Sequence, residues 1–422
     1  MTRFTHLTRT AVGYPLLALA LALALAVALL PATAAEAAAR RHVSRSFFGV
    51  HDTQPVSWPT TPVGAIRLWD SGVSWREIET ANGVFDFSRL DAQVDAARSH
   101  RAKVLLVLGQ TPRFHSRNPA RLGSYGLGAA SMPTKSSWIR YVRTVVRRYE
   151  GRHVDYQVWN EANVSGYWNG SARQMARLTR WTDRVVAHHD PRADVVAPAL
   201  ATRLTGQRAW LRTFYGTRVG GRNVASYVDA VSLNLYPMPK QGPEQSMELL
   251  DASRTMLARA GVHKPIWNTE INYGLLGGGT ARNISRAKEA AYVARTLVLN
   301  ADQNVKRMYW YAWDLQHLAN TQLTFANGTT QTRAGVAYEV ARGWLLGTRT
   351  RGCSQDGRGT WACELRFAHG TKRIYWNPAH RVTVHAVRSA RTTVDLRGHR
   401  ARLRGGEAIK VGRAPVMVLS RR

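Results

Sequence analysis

The chain has 422 residues and a formal net charge of +32, with 59 Lys and Arg against 27 Asp and Glu. Its 45% hydrophobic content, with 14 Trp and 15 Tyr, excludes disorder by composition, and the length suits a barrel of roughly 250–320 residues plus a smaller module. The charge comes mostly from Arg spread along the whole chain; it fits either a solvated Arg-rich surface or attraction to acidic polymers such as anionic cell-wall glycans, and no basic aromatic module points to nucleic acid.

The N-terminus has the pattern of an export signal over residues 1–35. Arg3 and Arg9 form a basic start, residues 11–30 are nearly all Leu, Ala and Val, and Ala32-Thr33-Ala34 after Pro31 fits a cleavage site. The apolar run is also long enough to act as an uncleaved anchor. The expected location is secreted or cell-surface.

Strands and helices then alternate. Apolar stretches predict strands over 47–51, 64–70, 103–110, 154–161, 194–200, 228–236, 265–270 and 306–314. Helical periodicity predicts helices over 88–99, 137–149, 175–188, 246–260, 285–300 and 333–346. The first connection, 51–64, contains three prolines, which leaves room for a turn or two of helix. Eight such units predict a (β/α)8 barrel over 36–347. Past Gly347, short alternating segments at 361–367, 373–376, 382–387, 392–396, 408–411 and 415–419 predict an antiparallel, sandwich-like β domain over 348–422, its last strand returning toward the barrel. The only cysteines, Cys353 and Cys363, lie in that part. In an exported protein they read as a disulfide, the alternative being two buried thiols.

Barrel enzymes carry their reacting groups at the C-terminal ends of the strands. Glu161 ends the fourth predicted strand and Glu270 the seventh, and those strands face each other across the barrel. Two carboxyl groups placed there suit glycoside hydrolysis, in which one acid protonates the leaving oxygen and the other, ionised, attacks the anomeric carbon. The retaining version expects them about 5–5.5 Å apart.

The motifs WNEAN (159–163) and WNTE (267–270) resemble the acid/base and nucleophile strands of glycoside hydrolase clan A. Residues 65–91 resemble the second strand and following segment of family 39, and the similarity runs over about 46–420. The resemblance implies a retaining O-glycosyl hydrolase with no cofactor or metal, acting as a monomer on an oligo- or polysaccharide, with Glu161 as acid/base and Glu270 as nucleophile. It also implies that Arg67 keeps Glu270 ionised, that Asn160 contacts a sugar 2-hydroxyl, that Tyr236 bonds the nucleophile, and that Trp313 is an aromatic platform. Ala162 departs from the pattern, since family 39 commonly has Pro after the acid/base; this leaves the subfamily and substrate open, with both exo-acting β-xylosidase-like and endo-acting activities in range.

His51, Gln110 and His115, on or after strands one and three, are candidates for sugar hydroxyls, and Tyr167 and Trp168 for a further aromatic subsite. Asp70 and Asp314 are either hydroxyl acceptors or helix caps. Gly277-Gly278-Gly279 suits a mobile loop better than a phosphate cradle, as no GK[ST] follows. His188-His189-Asp190 reads as a surface cluster rather than a metal site. The sequons at Asn163, Asn169, Asn283 and Asn327 read as chance, because a glycan on Asn163 would block the cleft. The rival to an enzyme is a basic secreted barrel that binds anionic glycans with little turnover.

Overall fold

Residues 42–53, 58–274, 284–314 and 321–421 are described by a computed structural model. The proposed export segment, Gly277-Gly278-Gly279 and Asn283 lie outside the described residues.

Eight successive segments form one parallel sheet: β1 (Phe48–His51), β2 (Ala65–Leu68), β3 (Lys103–Leu108), β4 (Val154–Val158), β5 (two short stretches, Val195–Val196 and Leu200–Ala201), β6 (Val231–Asn234), β7 (Ile266–Ile271) and β8 (Arg307–Trp310). The order runs β6-β7-β8-β1-β2-β3-β4. The first stretch of β5 pairs with β4 and the second with β6. Val196 also bridges to Ala230, just before β6. This curled parallel sheet fits a (β/α)8 barrel.

The helices around it are α1 (Ser88–Ser99), α2 (Lys135–Tyr149), α3 (Ala172–His189), α4 (Thr205–Gly216), α5 (Pro243–Arg259), α6 (Arg286–Asp302) and α7 (Arg333–Leu345). Their apolar stripes explain them. In α2, Trp138, Tyr141, Val142, Val145, Val146 and Tyr149 are buried at three- and four-residue spacing, and Thr134 caps the helix by accepting from Ser137 N at 3.3 Å. Ser171 and Gln174 form a capping box at the start of α3. Helix α4 was not anticipated from the sequence, and residues 58–64 contain no helix.

Side chains on a strand alternate faces, and this sorts the interior into layers. Ala65, Leu105, Val196, Ala230, Trp267 and Tyr309 form an apolar floor. Two residues further along their strands lie Arg67 and Thr269, in a polar layer above it. The floor also holds Arg307, which pairs with Asp155 at 2.6 Å and lies over the Trp267 ring at 3.9 Å.

From Arg349 onward the strands are antiparallel: β9 (Arg349–Gln355), β10 (Trp361–Phe367), β11 (Gly370–Trp376), β12 (Val382–His385), β13 (Ala390–Val394), β14 (Arg400–Arg402), β15 (Ala408–Val411) and β16 (Val416–Arg421). Six form one sheet, ordered β9-β10-β11-β16-β13-β14, and β12 pairs with β15. Val382, Val384, Ile409 and Val411 of that ribbon pack on Tyr375 and Val418. Strands β9 and β14 were missed in the sequence, where Gly, Arg and Ser hide the alternation. The last strand, β16, lies inside the sheet, and its Met417 and Leu419 join Ile374 and Trp376 in the cluster that includes the barrel core. Cys353 and Cys363 are bridged across β9 and β10.

Candidate active site

Arg67 organises the upper layer. It is fully buried in β2. Its Nη1 donates to Glu270 Oε2 at 3.1 Å, Nη2 to Asn160 Oδ1 at 2.7 Å, and Nε to Gln157 Oε1 at 2.7 Å. One guanidinium thus joins β2, β4 and β7, a use of the rigid fork that Lys has no means to copy.

Glu270 reaches this layer through an irregularity. Leu233 pairs with Asn268 and Asn234 with Glu270, so Thr269 is an extra residue in β7. Simple alternation from Trp267 turns Thr269 inward and Glu270 outward; the bulge brings both into the polar layer. Thr269 Oγ1 donates to Asn234 Oδ1 at 2.9 Å, and its backbone oxygen lies 3.0 Å from His51 Nε2.

Glu270 is 9% exposed. Besides Arg67 it receives Tyr236 Oη at 2.8 Å and Asn234 Nδ2 at 3.4 Å. Glu161 lies after β4, where Trp159 (φ 77°) and Glu161 itself (φ 43°) occupy the left-handed region. Such backbone in non-glycine residues is costly and tends to collect at functional sites. Glu161 Oε1 receives Asn234 Nδ2 at 3.1 Å. Both carboxylates therefore touch one nitrogen. Their nearest oxygens are no further apart than those two bonds laid end to end, which is at most the lower edge of the roughly 6.5–9.5 Å seen in inverting glycosidases.

Burial raises both carboxyl groups; the Glu161 charge adds to it at Glu270, and the Asp70 charge at Glu161. For Glu270 burial acts first, against the Arg67 charge, and the two carboxyl groups titrate together. The donors decide which member keeps the shared proton. Among the described residues Glu270 has a guanidinium, a phenol and an amide as donors, and Glu161 the amide alone. The ionised form belongs on Glu270 and the proton on Glu161. Burial and the Glu270 charge hold the Tyr236 phenol far above its ordinary range, so it stays a donor.

Asp70, after β2 at φ 56°, accepts from Tyr125 at 2.5 Å and Tyr311 at 2.9 Å. Burial raises its carboxyl despite those bonds. It acts electrostatically on Glu161, Glu270 and Tyr167, which places it on the wall of the same site. Asp314 bonds Thr53 instead.

The other expected residues divide. Arg67, Asn160 and Tyr236 join the pair. His51 is fully buried beside Arg67 (3.2 Å); burial and the Arg67 charge drive its pKa well down, so it is a neutral support. Gln110 is buried at φ 61° with no bond to either glutamate. His115 lies apart, 2.9 Å from Glu79 and 3.0 Å from Arg140. Trp313 is 1% exposed, its indole N–H on Gly328 O at 3.0 Å. Trp168 packs on Trp159 at 5.0 Å. Both rings are in the core and present no open face, whereas Tyr167 is half-buried beside the pair. Asn163 uses both ends of its amide on Ala201 and Gln207, which accounts for it structurally. No cluster of three metal-ligating side chains occurs among the described residues.

Asn234, the residue between the two carboxylates, was missed in the sequence. Its signal was the alternation Ser232, Asn234, Tyr236, which puts three polar side chains on one face of an apolar strand.

Residues 70–186 match the family model described as glycosyl hydrolase family 10. No curated protein sequence matches the chain. Among solved structures, a family 39 glycoside hydrolase from Bacteroides cellulosilyticus WH2 is similar at 15% identity over 90% of this chain and 81% of that one, with a TM-score of 0.67. A GH39 β-xylosidase from Caulobacter crescentus is similar at 14% identity over 91% and 98%, TM-score 0.63. A GH30 endoxylanase from Clostridium papyrosolvens C71 is similar at 11% identity over 91% and 98%, TM-score 0.59. These solved structures share the fold of this chain.

Proposed function

We propose that the chain is a retaining O-glycosyl hydrolase of the clan A type, with its sheet closed as a (β/α)8 barrel. The observation that carries the reading is the unequal pair: a buried and a half-buried carboxylate touching the Nδ2 of Asn234, with Arg67 and Tyr236 on Glu270 alone.

Glu161, protonated, donates to the leaving oxygen as the glycosidic bond breaks. Glu270 Oε attacks the anomeric carbon and forms a glycosyl ester. Glu161, now ionised, takes a proton from water, whose oxygen displaces Glu270 and restores both groups. Arg67 and Tyr236 hold the charge that Glu270 regains. Asn160, bound by Arg67 through its oxygen, keeps its amide nitrogen for a sugar hydroxyl.

Azide tests the assignment. On an activated aryl β-glycoside, Glu161→Ala should accumulate the intermediate and yield the β-glycosyl azide. Glu270→Ala should yield the α-glycosyl azide, since azide attacks from the face the carboxylate has left. The same anomer from both variants, or no azide product from either, defeats the assignment. Residues 1–35 are proposed as an export signal; N-terminal sequencing of protein from the culture medium tests this.

A further inference from the structure

A cavity of about 640 Å³ lies on the seam between the barrel and the C-terminal sheet. Glu248 and Asp251 of α5 and Tyr292 of α6 line one side, and Gln355, Trp361 and Arg413 the other. In a barrel of this kind helices begin at the C-terminal ends of the strands, so the N-terminal turns of α5 and α6 rise on the face that carries Glu161 and Glu270. The loop that places Tyr236 on Glu270 continues to Lys240 at the edge of the cavity.

The lining has the chemistry of a sugar site. The half-buried indole of Trp361 suits pyranose C–H groups on the side away from Trp376, while Tyr292 is buried beneath Lys288 and Arg295. Amide, carboxylate and guanidinium side chains around them both donate and accept, as hydroxyls require. Charges of both signs are present, which fits neither a phosphate cluster nor an acyl chain. Arg295, which also lines the cavity, pairs with Glu244. Arg295 Nη1 and Trp361 Nε1 are buried donors with no acceptor among the described residues, and a ligand rich in oxygen would relieve that cost.

The wall is built to hold its shape. The Cys353–Cys363 bridge spans β9 and β10 two cross-strand steps from the Gln355–Trp361 pair. Trp361 stacks on Trp376 at 5.4 Å and 3°, and Trp376 Nε1 donates to Glu244 Oε1 at 2.9 Å. The disulfide and the indole pair thus fix one side of the cleft to α5, which lowers the ordering cost of binding.

We propose that this cleft is a glycan-binding site that holds a remote stretch of a polysaccharide cut at Glu161 and Glu270. The inference rests on the glycosidase reading and narrows it, because a remote subsite serves a chain and not a single glycoside.

The test compares wild type with Trp361→Ala and with the surface double variant Glu248→Ala/Arg413→Ala, which leaves the indole stack in place. Xylohexaose, cellohexaose and laminarihexaose are the long substrates; p-nitrophenyl xyloside and glucoside are the short ones. In both variants kcat/KM on the hydrolysed hexasaccharide should fall by about tenfold through KM, the size of one lost polar contact. The aryl glycosides, too short to reach the cleft, should change by less than about twofold. Long and short substrates falling together, or neither falling, overturns the proposal. A wild type that hydrolyses none of the five substrates defeats the glycosidase reading, and binding then stands as a separate measurement. In Glu270→Ala protein the indole N–H resonance of Trp361, assigned by its loss in a Trp361→Ala background, should shift when a hexasaccharide is added. No shift with any of the three overturns the cleft.

Discussion

Two buried acid clusters sit in the barrel and behave in opposite ways. Glu79 is 1% exposed, yet it collects four donors: Trp75 Nε1 at 2.5 Å, Gly83 N at 2.8 Å, His115 Nε2 at 2.9 Å and Arg140 Nη2 at 3.2 Å. Burial raises its carboxyl, but the bonds from His115, Gly83 and Trp75 outweigh burial and leave it below the ordinary value. Glu161 has one side-chain donor among the described residues and is pushed up by burial. Burial alone therefore does not make an acid catalytic. The number of donors decides whether a buried carboxylate is a fixed charge or a proton store. The Glu79 cluster is a clamp that ties Trp75 and Gly83 to Arg140 of α2; in the proposed reading the Glu161–Glu270 pair keeps a proton to give away.

The sharpest way to break this comparison is to remove an acid from each cluster. Glu270→Ala should lose about 10⁴-fold or more in kcat on every substrate, as expected when a nucleophile is deleted. Glu161→Gln should lose about 10²–10⁴-fold on glycosides with poor leaving groups and far less in the first step with dinitrophenyl leaving groups. Glu79→Gln should leave kcat/KM within about threefold but lower stability by roughly 3 kcal/mol, because it strips a partner from a buried charged network. Urea titration alongside steady-state kinetics separates the two classes. A Glu79→Gln protein as stable as wild type and catalytically dead would reverse the assignments.

The clusters should also answer to pH with opposite sign. Glu79 is depressed in the folded protein, so its contribution is present above the unfolded pKa and lost as pH falls through the folded value. The acid limb of wild-type stability should therefore flatten in Glu79→Gln. Both members of the pair are raised, so their contribution is present at low pH and lost as pH climbs through the raised values. Glu161→Gln should thus gain stability relative to wild type on the alkaline side. Thermal melts across pH 4–9 check both; equal pH dependence in the two variants contradicts the comparison.

Much of the site was legible because barrel strands carry their chemistry at one end. Glu161, Glu270, Arg67, Asn160 and Tyr236 follow from strand-end position and motif, and the structure joins all five through Arg67 and Asn234. What was hidden depends on three-dimensional detail. The bulge at Thr269 reverses the alternation that would turn Glu270 outward. His115 follows a strand like a site residue, but a turn takes it to Glu79. Trp313 and Trp168 have the right residue type, yet their neighbours bury both faces. A single sequence records that a Trp ends a strand and not whether anything covers it. The C-terminal strands β9 and β14 escaped because a sheet edge with Arg and Gly on its faces has no period of two to detect.

The smallest effect tests the residue that joins the two carboxylates. Among the described residues Asn234 is the one side-chain donor to Glu161 and the longest of three bonds on Glu270. Its bond to Glu161 favours the ionised form and so holds that carboxyl lower than burial alone would. In Asn234→Ala the bond is gone while Arg67 and Tyr236 still hold Glu270. The proton should then sit more firmly on Glu161, and the basic limb of kcat/KM should move to higher pH. The rate at the optimum should fall by only about tenfold, the size of one lost hydrogen bond. The acid limb, which reports ionisation of Glu270, should move little because its stronger donors remain. A basic limb that moves to lower pH would mean that Asn234 stabilises the protonated acid, and the shared proton would then belong on Glu270.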